Sequence, residues 1–553
     1  MNPVVELNFN SRRSPVLSKR GMVATSQPLA VAAGLEILSQ GGNAADAAVA
    51  SAAALNVTEP TSTGIGGDCF ALYYDAATGR VSALNGSGRA PAALTLERLR
   101  SEGIGDELPP FHPYTVTVPG ACAGWCDLVD YHGRLPMHQV LVPAIRLAEE
   151  GFPVAPITAY FWQRGVDRQL KQAPGGLELT IEGRAPCPGE IFRNPGLART
   201  FAKVAEGGKR AFYQGEIAEA IVRVVSTAGG CLSLNDLAGH CSTWEQPIHV
   251  PYHGLKVWEC PPNGQGLAAL LALNLVEEMG LSEMEPLSTE RLHLEIEAMR
   301  LAFADARWYV ADPALNPAPL PQLLSKEYAV RRRKLIDPQR ATLDQEHGSP
   351  ATASDTVYLS VVDEDGNACS FINSNYMGFG TGIVPEGWGF TLQNRGLNFS
   401  LDPEHPNALG PGKRPYHTII PAMITRPRSD TEVDSAPVEE LYASLGVMGG
   451  FMQPQGHLQV FLGLVEDGLD PQSALDQPRF CIMNGQAGGG VALEEGISPQ
   501  VMSRLGEMGH PVEPVGGHGR AIFGRGQVIL RDPEQGTLWG GSDPRADGCA
   551  MGL

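Results

Sequence analysis

The chain has 553 residues, 43% apolar and 18% charged, a composition that suits a soluble globular protein longer than one typical domain. Asp and Glu number 61 against 41 Lys and Arg, for a net charge of −20. This argues against nucleic acid or an anionic membrane as the main partner, although a local cationic pocket for an anionic small molecule stays compatible with it. No run of about 20 apolar residues is present and Met1 to Arg20 lacks the apolar core of a signal peptide, so the expectation is a cytoplasmic protein without a membrane span. The ten cysteines are scattered, and Cys122 and Cys126 fit no zinc or redox spacing. Buried free thiols are expected.

Residues 27–40 have helical apolar spacing, with Gly41-Gly42 as the stop and Asn43 as the cap of a second, alanine-rich helix over 44–55. Thr63-Gly64-Ile65-Gly66-Gly67-Asp68 is glycine-rich, but no Lys-Ser or Lys-Thr follows and no dinucleotide fingerprint surrounds it, so it is not read as a phosphate loop. A long helix over 290–309 has Leu292, Ile296, Met299, Leu301 and Phe303 on its apolar face. His293, Glu295 and Glu297 on the same helix lack the i, i+4 His pair of a zinc site and read as a solvated polar face. No metal and no cofactor is expected.

Residues 337–355 are rich in Pro, Ser, Thr, Ala and Gln and read as an exposed loop. A strand covered on both faces opens at Thr356, turns at Asp365-Gly366 and returns over 368–373. Downstream lie Phe379-Gly380-Thr381-Gly382, Asn394-Arg395-Gly396 and Arg414-Pro415-Tyr416-His417-Thr418, each readable as turn chemistry. A strand over 441–448 then runs into Gly449-Gly450. A cut before Thr356 would place a hydroxyl nucleophile and an α-amine base on one residue. The amine's reference pKa is about 7.7–8.0, so it is partly neutral near pH 7. Gly449-Gly450 could let backbone N–H groups approach an oxyanion closely.

Taken in order, these motifs resemble the γ-glutamyltranspeptidases, members of the N-terminal-nucleophile hydrolases. The resemblance runs through Arg20-Gly21-Met22-Val23-Ala24, Gly41 to Ala47, Thr63 to Asp68, Val118-Pro119-Gly120, Ala302 to Arg307, the Thr356 strand, Phe379 to Gly382, Gly412-Lys413-Arg414-Pro415, Gly449-Gly450 and Ser542-Asp543-Pro544-Arg545. It implies an α+β fold, a four-layer αββα sandwich, made as a precursor that cleaves itself between Asp355 and Thr356. The products would be a large subunit, 1–355, and a small one, 356–553, intertwined in one composite fold and pairing further as a heterotetramer. It further implies Thr356 as nucleophile, Ser374 as the hydroxyl bonded to it, and Gly449 and Gly450 as the oxyanion hole. The acyl-enzyme would be released by water or by an amine acceptor.

The departures from the family concern the substrate. The family's carboxylate-gripping Arg falls at Ser87, with Arg89 two residues on. Its Asn after the second strand becomes Tyr376, its Gln and Asp become Arg395 and Asn398, and its paired serines become His417 and Thr418. Thr-Thr-His at the catalytic strand becomes Thr356-Val357-Tyr358. Arg89 and Arg395 both stand as candidates to hold a carboxylate, with Tyr376, Asn398, His417 and Thr418 as further substrate-binding candidates. The family default is hydrolysis or transfer of γ-glutamyl compounds such as glutathione. The loss of the acidic partner for an α-ammonium points instead to a carboxylate-bearing amide without that amine, as in the oxamate amidohydrolase and acylase subgroup. A third reading is an unprocessed homologue that only binds or scaffolds.

Overall fold

The computed structural model describes residues 13–105, 107–343, 355–428 and 438–553. Two seven-stranded antiparallel sheets pack against each other. One runs in the order 549–552, 22–25, 355–362, 368–376, 68–75, 80–86, 243–245. The other runs 16–18, 538–542, 525–531, 439–448, 422–427, 255–259, 248–252. Helices Pro28–Ser39, Ala44–Thr58 and Ala121–His132 cover the first sheet, and Gly266–Val276 and Met452–Val465 cover the second, with Thr289–Tyr309 packed outside Gly266–Val276. This is the expected αββα sandwich. Each sheet takes strands from both sides of residue 355.

Local sequence accounts for the close packing of the first helical layer. Asn43 accepts from the N–H groups of Ala45 and Asp46, and Asp46 accepts from Asn43 N in return, closing a capping box. Every residue of Ala44–Thr58 is buried, and its alanines let the helix lie flat against the sheet and against Pro28–Ser39. The helix runs three residues past the expected end. Between the sheets the filling is partly polar: Tyr358 and Ser370 share a hydroxyl bond of 2.7 Å, and Ser360 donates to Ser444 at 2.7 Å. Such groups tolerate burial because each finds a partner.

One expectation needs correction. His293, Glu295 and Glu297 are buried rather than solvated. His293 Nδ1 meets His510 Nε2 at 2.8 Å, Arg291 Nε donates to Glu295 at 2.9 Å, and Thr342 N donates to Glu297 at 3.0 Å. Neighbours distant in sequence cover that face. Residues 337–340 are exposed, as expected, and the segment is tied down at two points: Asp337 O meets His293 Nε2 at 2.7 Å and Ala341 N donates to Met508 O at 2.8 Å. The remainder of the expected loop, 344–354, lies outside the described residues. The ten cysteines are free, as expected, although Cys187 and Cys241 are exposed.

Candidate functional site

Thr356 lies in the middle of the first sheet, on the strand Asp355–Val362. The register against Ala368–Tyr376 shifts between Asp355 and Val357. Thr356 thus occupies an irregularity of the kind that re-aims a side chain beside a site. Its hydroxyl donates to Ser374 Oγ at 3.2 Å and accepts from Gln453 Nε2 at 3.3 Å. All three residues are fully buried. Ser374 Oγ also accepts from Tyr376 N at 2.8 Å and from Arg395 Nη2 at 3.2 Å. One hydroxyl therefore links Thr356 to a guanidinium.

Arg395 is fully buried, and no carboxylate lies within ion-pair distance of it among the described residues. Its Nη1 donates to Thr418 Oγ1 at 2.7 Å, its Nε has no partner, and its Cζ stands 4.3 Å from the centre of the Tyr376 ring. Burial lowers its pKa to about 10. Tyr376 carries a φ of +78°, uncommon for a bulky side chain, and is held by its N–H bond to Ser374 and its ring contact with Arg395. Arg89 is differently placed. It pairs with Asp312 at 3.2 Å and donates to Gly412 O at 3.3 Å, at the edge of the protein.

Beneath this cluster Asp68 acts as a hub. It accepts from Gly88 N, Gly120 N and Gln393 Nε2 at 2.9, 3.1 and 2.9 Å, and meets His417 Nε2 at 2.9 Å. Desolvation lowers the His417 pKa to about 3, so the ring is neutral and engaged with Asp68. The glycine-rich run before Asp68 has a steric purpose: a Cβ at Gly67 would lie 2.3 Å from Ser374 O. Asn398 donates to Tyr416 O at 3.1 Å and lines a separate cavity of about 700 Å³.

The strand Glu439–Met448 ends at Gly449 and Gly450, with φ values of +131° and +61°, and the helix Met452–Val465 starts directly after. The carbonyls of both glycines accept from that helix's first turn, and Gln265 Nε2 donates to Gly450 O at 2.8 Å. The Gly449 and Gly450 N–H groups donate to nothing among the described residues. Gln453, on the same first turn, reaches Thr356. The structure therefore brings together Thr356, Ser374, Tyr376, Arg395 and Thr418, joins the Gly449-Gly450 turn to them through Gln453, and leaves Arg89 apart. Sequence reasoning missed Gln453, Gln265 and the hub role of Asp68. An amide side chain in the first turn after Gly449-Gly450 was the available signal for Gln453.

A family model described as gamma-glutamyltranspeptidase matches residues 30–553. The "Glutathione hydrolase-like YwrD proenzyme" of Bacillus subtilis (strain 168) is 36% identical, over 97% of this chain and 99% of its own length. The "Oxamate amidohydrolase proenzyme" of Klebsiella pneumoniae is 33% identical, over 97% and 99%. The crystal structure of a cephalosporin acylase from Bacillus halodurans superposes with a TM-score of 0.89 at 46% identity, covering 98% of this chain and 97% of that one. The chain belongs to the γ-glutamyltranspeptidase family and is an amidohydrolase of the N-terminal-nucleophile type.

Proposed function

We propose that this protein cuts itself between Asp355 and Thr356 and then hydrolyses amides whose acyl half carries a carboxylate but no α-amine. In processing, Thr356 Oγ attacks the Asp355 carbonyl carbon, and the peptide C–N bond breaks as the nitrogen takes the hydroxyl proton. Water then hydrolyses the ester, freeing the Asp355 carboxylate and the Thr356 amine. The two pieces, 1–355 and 356–553, stay together because both sheets take strands from each. In turnover the Thr356 amine accepts the Oγ proton as the oxygen attacks the substrate carbonyl. The free N–H groups of Gly449 and Gly450 stabilise the oxyanion. The proton passes to the leaving amine, and water or another amine releases the acyl group from Thr356.

The observation that carries the substrate reading is Arg395: a buried guanidinium with no carboxylate in ion-pair distance among the described residues, one hydroxyl from the nucleophile. A buried cation is costly until paired, and a guanidinium fork suits a carboxylate. Thr356 Oγ1 and Arg395 Nη2 each lie 3.2 Å from Ser374 Oγ, so they stand at most about 6.4 Å apart. That span fits an acid a few carbons from the scissile carbonyl. The nearby acid, Asp68, is already engaged by four donors and leaves no receptor for an ammonium. A relative named glutathione hydrolase-like favours a second reading, γ-glutamyl compounds such as glutathione.

Glutaryl-p-nitroanilide and γ-glutamyl-p-nitroanilide differ only in the α-amine and separate the two readings. We expect the processed enzyme to prefer the glutaryl substrate at least tenfold in kcat/KM, and a preference for the γ-glutamyl one would overturn the proposal. Thr356→Ala should remain a single 58.9 kDa chain.

A further inference from the structure

A second cavity, of about 240 Å³, opens at Gly449 and meets the 700 Å³ space only at Asn484. It is lined by Gly449, Phe451 and Met452 but not by Arg395 or Thr418. A group bound there lies beside the Gly449 turn and does not share a wall with Arg395. Its walls are largely apolar, with Phe161, Met377, Phe379 and Ile522 prominent, yet Arg164 and Arg168 also line it.

These arginines are set rather than scattered. Arg164 lies on the helix Pro156–Gly165, and Arg168 lies on the π-helical turn Val166–Leu170 that continues it. π-turns inside helices are rare and cluster at functional sites. The same turn carries Gln169, which is buried and donates to Met377 O at 2.8 Å and Gly380 O at 2.6 Å. That clamp ties the arginine-bearing segment to the loop after Tyr376. Both arginines are exposed and form no ion pair among the described residues. Their guanidinium groups lie over ring faces: Tyr160 at 5.8 Å for Arg164 and Phe111 at 5.3 Å for Arg168. The acid between them, Asp167, is taken by Lys171 at 2.7 Å. On a chain of net charge −20, two uncompensated cations at the rim of an apolar cleft form a local exception.

We infer that this cleft is the leaving-group subsite and that it selects a flat, apolar amine bearing an acid group. The apolar walls take the ring and the arginines meet the acid. By microscopic reversibility the same cleft receives an amine acceptor of that kind. This rests on the proposed acyl-transfer chemistry at Thr356 and adds selection on the opposite side of the scissile bond.

The test uses N-glutaryl-4-aminobenzoate and N-glutaryl-4-aminobenzamide, which share an acyl group and differ in the leaving group's charge. The parent enzyme should prefer the aminobenzoate by about five- to tenfold, chiefly through KM, as two partly exposed charge contacts allow. The preference should shrink at high salt. In Arg164→Gln/Arg168→Gln it should fall to within about twofold of unity, and Arg168→Glu should reverse it. A ratio near one in the parent, or one unchanged in the double variant, overturns the inference. If the glutaryl acyl group is not accepted, the acyl reading fails, and the same pair made with γ-glutamyl decides the subsite by the same ratios.

Discussion

Replacing Arg395 with Gln tests the substrate reading most directly, because the structure predicts opposite consequences for function and for stability. Removing one member of a buried, hydrogen-bonded charge pair costs about 2–5 kcal/mol. At about 1.4 kcal/mol per tenfold, kcat/KM on glutaryl-p-nitroanilide should fall by about 30- to 4,000-fold. The uncharged butyryl-p-nitroanilide never uses the guanidinium, so its kcat/KM should fall far less. Stability follows a different course, because no carboxylate among the described residues forms an ion pair with Arg395. The Arg395 pKa is lowered from its usual value to about 10 by burial, which corresponds to about 3 kcal/mol held against the charged form. For a base whose folded pKa lies below its unfolded one, that penalty applies below about pH 10 and fades as pH rises through the unfolded value. Gln removes the penalty but also loses the bonds to Thr418 and Ser374. The two effects largely offset, and Arg395→Gln should unfold in urea within about 2 kcal/mol of the parent. Breaking a structural buried ion pair would cost about 3–5 kcal/mol. Steady-state kinetics on the two anilides and a urea titration decide the matter. Equal losses on both substrates, or a destabilisation above about 4 kcal/mol, would refute a substrate-facing cation.

Three further outcomes are expected. Gln453→Ala removes the amide that donates to Thr356 Oγ1 at 3.3 Å, and should lower kcat about 10- to 100-fold with little change in KM, as a bond that strengthens on a developing charge would; an unchanged kcat in stopped assays would exclude this role. His417 is held neutral with its pKa at about 3, so the unfolded chain takes up a proton below about pH 6.5 that the fold refuses. His417→Gln should therefore flatten the loss of stability between pH 6.5 and 5 by about 1.4 kcal/mol per pH unit relative to the parent, and parallel urea profiles would contradict it. A Cβ at Gly446 would lie 2.4 Å from the Tyr358 ring, which is pinned through its hydroxyl to Ser370. Gly446→Ala should cost about 1–3 kcal/mol by urea unfolding, and much less in a Tyr358→Val background; equal costs in both would place the strain elsewhere.

The parts of the site legible in the sequence are those that depend on local chain. The strand at Thr356, the turn behind it and the glycines after residue 448 announce themselves through alternation and backbone freedom, and the order of motifs supplied the fold. What stayed hidden depends on partners far along the chain. Arg89 and Arg395 look alike as sequence, and their difference lies in Asp312, 223 residues beyond Arg89, which captures one and leaves the other free. The polar face of Thr289–Tyr309 reads as solvated until His510 and Thr342 are seen to cover it. Asp68 closes a glycine-rich run, and nothing local shows that Gly88, Gly120, Gln393 and His417 converge on it.

Apart from Ser87 and Arg89, the residues that depart from the family's glutamate-binding pattern lie around one cluster rather than scattered. Arg395 rests on the Tyr376 ring, and each of its two terminal nitrogens gives one of its two hydrogens, to Thr418 and to Ser374. His417, where the family has a serine beside the one now Thr418, turns away to Asp68 and lies edge-on to Phe70, with the ring centres 5.0 Å apart. Asn398 is turned toward Tyr416 O and the larger cavity. Residues that share partners in this way do not contribute additively. Restoring the family's Gln at 395 alone would remove the cation while Tyr376 still fills the space beside it, and would supply no acid for an α-ammonium. A gain of γ-glutamyl activity should therefore require positions 376, 395 and 398 to change together, with each single reversion leaving the enzyme poorer at its own substrate and no better at the new one.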